Sequence, residues 1–259
     1  MIRSLFVYEW RQLLRRLAGF AVLALLLGLG AVFLFTPDMQ GHLRYLSEEL
    51  PLVAQLAGYA GSTNLPVHVM GVLYGFILSL VMVLAGMSLA RRLITRPAQD
   101  GRMAQRLAAP HRRGAIFFTL FWLMALEMLI ISMGAFLGQT AGVLIFLGGQ
   151  GDIPALLRLA LGMAFSALPV AGAMAAVASL APGPVSARRL SRLIGIAFIG
   201  FMMVSRLAGW PQYLRFFTPF ALFKGQALLS GFEATSLLGL PLSVMLAGLG
   251  AWGFSGRDL

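Results

Sequence analysis

The chain contains no cysteine, a single lysine (Lys224), three histidines and nine acidic residues in 259 positions. Each shortage closes a class of function. Without thiols there is no disulfide, thiolate metal site or cysteine nucleophile. Lys224 stands in "FKGQ", so the G-x-x-x-x-G-K-[ST] loop that cradles nucleotide phosphates is missing. His42, His68 and His111 fall in three separate segments, without H-E-x-x-H or paired helical spacing, which argues against a metal site. No G-x-S-x-G elbow occurs either. The expectation is a chain with no catalytic residue, no metal and no cofactor of its own.

What is present is apolar. Hydrophobic residues make up 59% of the chain and charged residues 11%, with a mean hydropathy of +0.86. That composition predicts an all-α, polytopic integral membrane protein forming one domain over residues 1–259. Six runs approach the roughly 20 residues a helix needs to cross the hydrocarbon. They cover 17–35, 67–90, 114–137, 155–180, 193–210 and 237–254, and the third can continue through "VLIFL". The first run exceeds the about 7–15 residues of a signal core. With no small-residue cleavage site in "FTPDMQ", it reads as a retained span.

A formal charge of +11 would suggest nucleic acid in a soluble protein. Beside membrane spans, basic residues report orientation instead, so no nucleic acid partner is expected. Under the six-span reading, one side holds arginines 3, 11, 15, 16, 91, 92, 96, 102, 106, 112, 113, 188, 189, 192 and 257. The other holds Arg44, Arg158, Arg206, Arg215 and Lys224. Both termini are then cytoplasmic, which an even number of spans satisfies. The longest outer segments are 36–66, with a short surface helix in "LSEELPLVAQLAGYA", and 211–235, whose aromatics and Pro211 and Pro219 predict a segment dipping into the interface.

Five groups of residues stand out. Glu127 is the one carboxylate well inside a predicted span, where an ionised group costs at least about 2.5 kcal/mol. Arg206 lies at the same predicted depth in the fifth span, about 20 Å in, so the two can pair, either to hold helices in register or to serve a substrate or proton path. Gly134, Gly138 and Gly142 align at four-residue spacing as a close-packing groove, within the chain or between subunits. Pro169 and Pro241 would kink their spans without naming an activity. At the N-terminus, Ile2, Phe6, Trp10, Leu13 and Leu17 form one stripe with Arg11 and Arg15 turned away, the pattern of an amphipathic interfacial helix that anchors or docks. Finally, "RPAQDGRMAQRLAAPHRRG" encodes a short amphipathic helix. Asp100 can cap it, Met103 and Leu107 share a face, Arg102 and Arg106 lie one turn apart, and Pro110 closes it. Its apolar face meets either lipid or a partner.

These features together resemble the membrane permease subunits of ABC transporters, in particular the type 2, exporter-type family. The loop "DGRMAQRLAAPHRRGAIFF" is similar to that family's loop between spans two and three at Asp100, Gly101, Leu107, Pro110, Arg112 and Arg113. "YEWRQLLRR", with Glu9, Trp10, Arg11 and Arg15, looks like its interfacial helix. Thr218, Pro219 and Phe220 match an outer motif, and "FSGRDL" resembles the tail after span six. Arg96, Pro97 and Arg102 stand where many relatives carry a glutamate or a threonine. The resemblance implies a bacterial inner-membrane permease subunit that pairs with a second permease, identical or related. ATP and Mg would be bound by separate cytoplasmic ATP-binding subunits. It further implies a cytoplasmic coupling helix around Arg102 to Ala109, contacted through Asp100 to Arg113, with Met103 and Arg106 in it. Arginines around that helix would pair with acidic residues or with the phosphates of membrane lipids. The competing reading is a polytopic protein without an ATPase, such as an ion-coupled carrier, a scaffold or a sensor subunit.

Overall fold

The computed structural model describes residues 2–57, 64–107, 111–207 and 210–256, and every element among them is helical. Arg3–Phe33 forms α1, Pro37–Glu49 α2 and Pro51–Ala57 α3. Leu65–Gln99 (α4) runs for 35 residues, with π-helical stretches at Met70–Ile77 and Arg91–Thr95. Arg102–Leu107 is the short α5, followed by Arg113–Phe146 (α6), Ile153–Leu180 (α7) and Pro184–Val204 (α8). Two 3-10 turns, Trp210–Phe217 and Pro219–Leu222, lead to Gly225–Ser230 (α9) and Ala234–Ser255 (α10).

Four of these helices, α4, α6, α7 and α10, are long and apolar enough to cross a membrane. The arms Arg3–Leu14 and Leu17–Phe33 of α1 meet at 54° and together make a fifth such unit. The bounds expected for the fifth span, 193–210, are shifted, and the helix found there is not among those four. Pro184, favoured in a first helical turn, starts α8 nine residues earlier, and the helix stops at Val204 rather than at Trp210. Past Arg192 only twelve uncharged helical residues remain, about 18 Å against a hydrocarbon layer of about 30 Å. The third run does continue through "VLIFL", as one helix of 34 residues.

Lipid tails are as apolar as leucine, so helices in a bilayer associate by close packing more than by hydrophobic transfer. Small residues do that here. A Cβ at Gly134 would sit 2.7 Å from the Ala21 carbonyl oxygen, and one at Gly142 would sit 2.8 Å from Val32 Cβ. Gly138 and Gly28 are tighter still, abutting the carbonyls of Leu25 and Ala135. The glycine stripe is therefore spent on α1 against α6 within the chain and is not free to form a subunit seam. A second seam joins α7 to α10, where Gly250 lies so close that a Cβ would be 2.9 Å from Ala176 Cα. Buried hydrogen bonds lock the neighbours: Ser132 Oγ donates to Ala160 O at 2.5 Å, and Gln139 Nε2 donates to Tyr74 Oη at 2.9 Å.

The cationic side chains sort to the two ends of this bundle. At one end Arg92 donates to Gln12 O, Arg188 to Gln99 and Arg113 to Ser255 O. At the other, Arg158 bonds the carbonyls of Leu228 and Leu229, and Lys224 pairs with Glu233 at 2.7 Å. Between the ends, α7 is almost wholly buried, with Pro169 inside it. The 210–235 segment carries Trp210, Tyr213, Phe216 and Phe217 exposed, while Thr218 and Phe220 turn inward.

Candidate functional site

The basic loop between α4 and α6 is shaped by its backbone first. Gly101 adopts φ +72°, a left-handed conformation that a side chain would strain, and this lets α5 fold back under α4. Asp100, exposed at the turn, pairs with Arg102 at 2.7 Å and with Arg96 at 3.6 Å. Surface pairs of this kind add little energy. They do hold the turn's charge together.

The strong contacts are on the other face of α5. Met103 is 1% exposed and sits in the chain's own core, so its apolar side chain meets neither lipid nor a partner. Arg106 donates to the carboxylate of Glu9 and, at 3.2 Å, to Leu93 O in the second π-helical stretch. The side chain of Glu9 is 3% exposed and that of Arg106 16%. Losing either partner would strand a buried charge, at a cost on the order of 3 kcal/mol. The expectation that Met103 meets lipid or a partner is thereby corrected, while Arg106 pairs with an acidic residue of this same chain. They clasp α5 to α1 and α4, because a helix of six residues on a membrane domain is stable only when one face is buried.

What α5 leaves exposed is Gly101, Arg102, Ala104 and Gln105, continued by His111, Arg112 and Arg113. Arg113 also reaches Ser255 O at 3.2 Å and ties the start of α6 to the end of α10. The side chain of Leu107 and all of Pro110 lie outside the described residues, as does the side chain of Arg15.

The N-terminal stripe is likewise turned inward. Leu13 and Leu17 are buried, Ile2, Phe6 and Trp10 pack on the core, and Ile2 N donates to Thr119 Oγ1 at 2.9 Å. Phe6 and Trp10 stack with centroids 6.3 Å apart. Arg11, with Val7 and Tyr8, stays exposed. The sequence reading placed Glu9 only on an interfacial helix and missed its role as counter-ion. The available signal was that Glu9 is the only acid before residue 38.

Glu127 and Arg206 are not brought together. Four ion pairs join described residues, and none involves either side chain. Glu127 is 1% exposed, with Oε2 lacking a hydrogen-bond partner. Arg206 lies past the end of α8 and donates to Leu56 O at 2.7 Å and to Gly75 O, a carbonyl of the first π-helical stretch. The matched depth failed because α8 starts at Pro184: Arg206 is 22 residues along, about 33 Å, whereas Glu127 is 14 residues into α6, about 21 Å. Both π-helical stretches thus present a carbonyl to an arginine, a pattern no spacing rule in the sequence announced.

Among the described residues no group of three or more metal-ligating side chains occurs. Comparison with protein-family models finds no match, and no curated protein matches the chain.

Proposed function

We propose that this chain is the membrane-spanning permease subunit of an ATP-driven ABC transporter, of the exporter type, in a bacterial inner membrane. It works with a second permease and with cytoplasmic ATP-binding subunits that hold ATP and Mg, and it has six spans with both termini inside. The tail of α8 and the bent α1 complete that count, the arginines at the start of α8 snorkelling to the interface.

One observation carries the reading. The α5 loop is keyed to the membrane helices through Met103 and the Glu9–Arg106 pair on one face, and is bare at Arg102, Ala104 and Gln105 on the other. A short helix bound that firmly to α1 and α4 transmits a push from a partner as a rigid body, whereas a mere topology signal needs no such anchorage. The motif resemblance at Asp100, Gly101, Arg112 and Arg113 supplies the kind of partner.

The test uses the full chain, affinity-tagged and solubilised from its native host. The wild type is expected to carry an ATP-hydrolysing subunit, and an Ala104→Trp, Gln105→Trp variant to lose it with its own melting curve unchanged. If wild type and variant both purify without any such subunit, the chain is an ATPase-free membrane protein. Substituting Met103 would not serve, since it would disrupt the core.

A further inference from the structure

The clasp around Arg106 opens into a cleft of about 580 Å³. Seven arginines line it, with Glu9 as the only carboxylate. That carboxylate is taken by Arg106, and Asp100 outside the lining is shared by Arg96 and Arg102. Arg91, Arg188 and Arg192 pair with no carboxylate among the described residues. Arg188 spends one nitrogen on Gln99 at 2.7 Å, while its Nε is buried without a hydrogen-bond partner. An unsatisfied guanidinium donor in a strongly cationic cleft calls for an oxyanion, and the planar fork of arginine suits phosphate.

The walls say which phosphate. Arg188, Ser191 and Arg192 come from successive positions on one face of α8, and Leu84, Ser88, Arg91 and Thr95 from one face of α4. The two helices converge at Gly195, where a Cβ would lie 2.9 Å from Met87 Sδ. Near that crossing, on the membrane side of the arginines, the lining becomes apolar at Leu84 and Met87. Leu84 is 47% exposed there, and Ile196, one turn beyond Arg192 on α8, is 70% exposed. A site with arginines at its polar end and bare hydrocarbon beside it is built for an amphiphile.

We propose that this cleft is a specific site for an anionic phospholipid. Its headgroup phosphate pairs with Arg91, Arg188 and Arg192, and an acyl chain lies along Leu84 and Ile196. The site stands whether or not the chain is a transport subunit. A bound lipid would bridge α4 and α8, which otherwise meet closely around Gly195, and so brace the α5 clasp against the weakest-anchored long helix.

Native mass spectrometry of the full chain in neutral detergent tests this, with phosphatidylglycerol, phosphatidylcholine or inorganic phosphate as the probe. Phosphatidylglycerol is expected to bind at one site in preference to phosphatidylcholine. Arg188→Gln and Arg192→Gln should each weaken it at least about tenfold, the loss expected for one charge-assisted bond. Arg189→Gln removes the same charge from the same helix but outside the cleft, and should leave binding unchanged. Equal binding of both lipids, or equal losses in Arg189→Gln and Arg188→Gln, would reduce the effect to general surface charge and overturn the proposal. Competition by millimolar inorganic phosphate without lipid preference would assign the cleft to a free phosphate and overturn the lipid.

Discussion

Gly138→Ala sets two forces of known size against each other. In a helix interior alanine is better than glycine by about 1 kcal/mol, so on propensity alone the change stabilises. At Gly138 the new Cβ would lie 2.8 Å from the Leu25 carbonyl carbon and 2.9 Å from Leu29 N. Both distances are more than about 0.5 Å inside comfortable contact, and both atoms are backbone, so no rotamer change relieves them. α1 and α6 must part instead, loosening Gly28 against Ala135 one turn away. Overpacking of this kind costs about 1–3 kcal/mol, and with two backbone atoms in the way the upper part of that range applies, which leaves a net loss of up to about 2 kcal/mol. Gly19 and Gly30, on the same α1, have nothing within 4 Å of a built Cβ. Gly19→Ala and Gly30→Ala should therefore gain up to about 1 kcal/mol. The readout is the midpoint of thermal loss of helical circular dichroism for the purified full chain in mild detergent, where 1 kcal/mol corresponds to roughly 2–4 °C. Opposite signs are expected at positions 138 and 30. If Gly138→Ala melts at or above wild type, α1 and α6 do not meet through that glycine and the packing argument fails.

Glu9→Gln and Arg106→Gln should each lower stability by about 3 kcal/mol, whereas changing both together should cost less than the sum, because neither charge is then stranded; a double-mutant cycle on melting midpoints reads the difference. Glu127→Gln should leave expression intact and match or exceed the wild-type midpoint, since an amide relieves a buried carboxyl whose Oε2 has no partner; a clear drop would mean that the carboxyl itself is needed. At the opposite end, hydrogen bonds from Lys224 and Thr235 hold the Glu233 carboxyl below its usual range, with the Lys224 charge adding to them. A depressed folded-state pKa stabilises above the ordinary value of 4.5 and is lost as pH falls through the lowered one, so amide protection factors over 224–236, corrected for the intrinsic exchange rate at each pH, should fall on acidification, and Lys224→Gln should abolish that fall. Because the chain lacks cysteine, single thiols test orientation: His42→Cys should react with an impermeant reagent from outside and Gln105→Cys only after permeabilisation, and the reverse pattern would invert the topology.

Composition and hydropathy alone were enough to call for helices long and apolar enough to cross a membrane, because a backbone in hydrocarbon must satisfy its own hydrogen bonds and a run of about 20 apolar residues has few other uses. Spacing alone also picked out Gly134, Gly138 and Gly142 as a packing groove and 100–110 as a loop of unusual order. Direction was the part that local pattern does not contain. Met103 and the Ile2 to Leu17 stripe read as faces for lipid or a partner, yet they are buried against this chain's own helices. A hydrophobic stripe has the same period whatever it packs on, and only the tertiary arrangement supplies the neighbour. Charge pairing failed for a related reason. Depth counted along the sequence matched Glu127 to Arg206, while the true start of α8 at Pro184 carried Arg206 to the far end of the bundle. The pair that did form, Glu9 with Arg106, joins residues 97 apart in sequence and required α1, α4 and α5 to be folded together first.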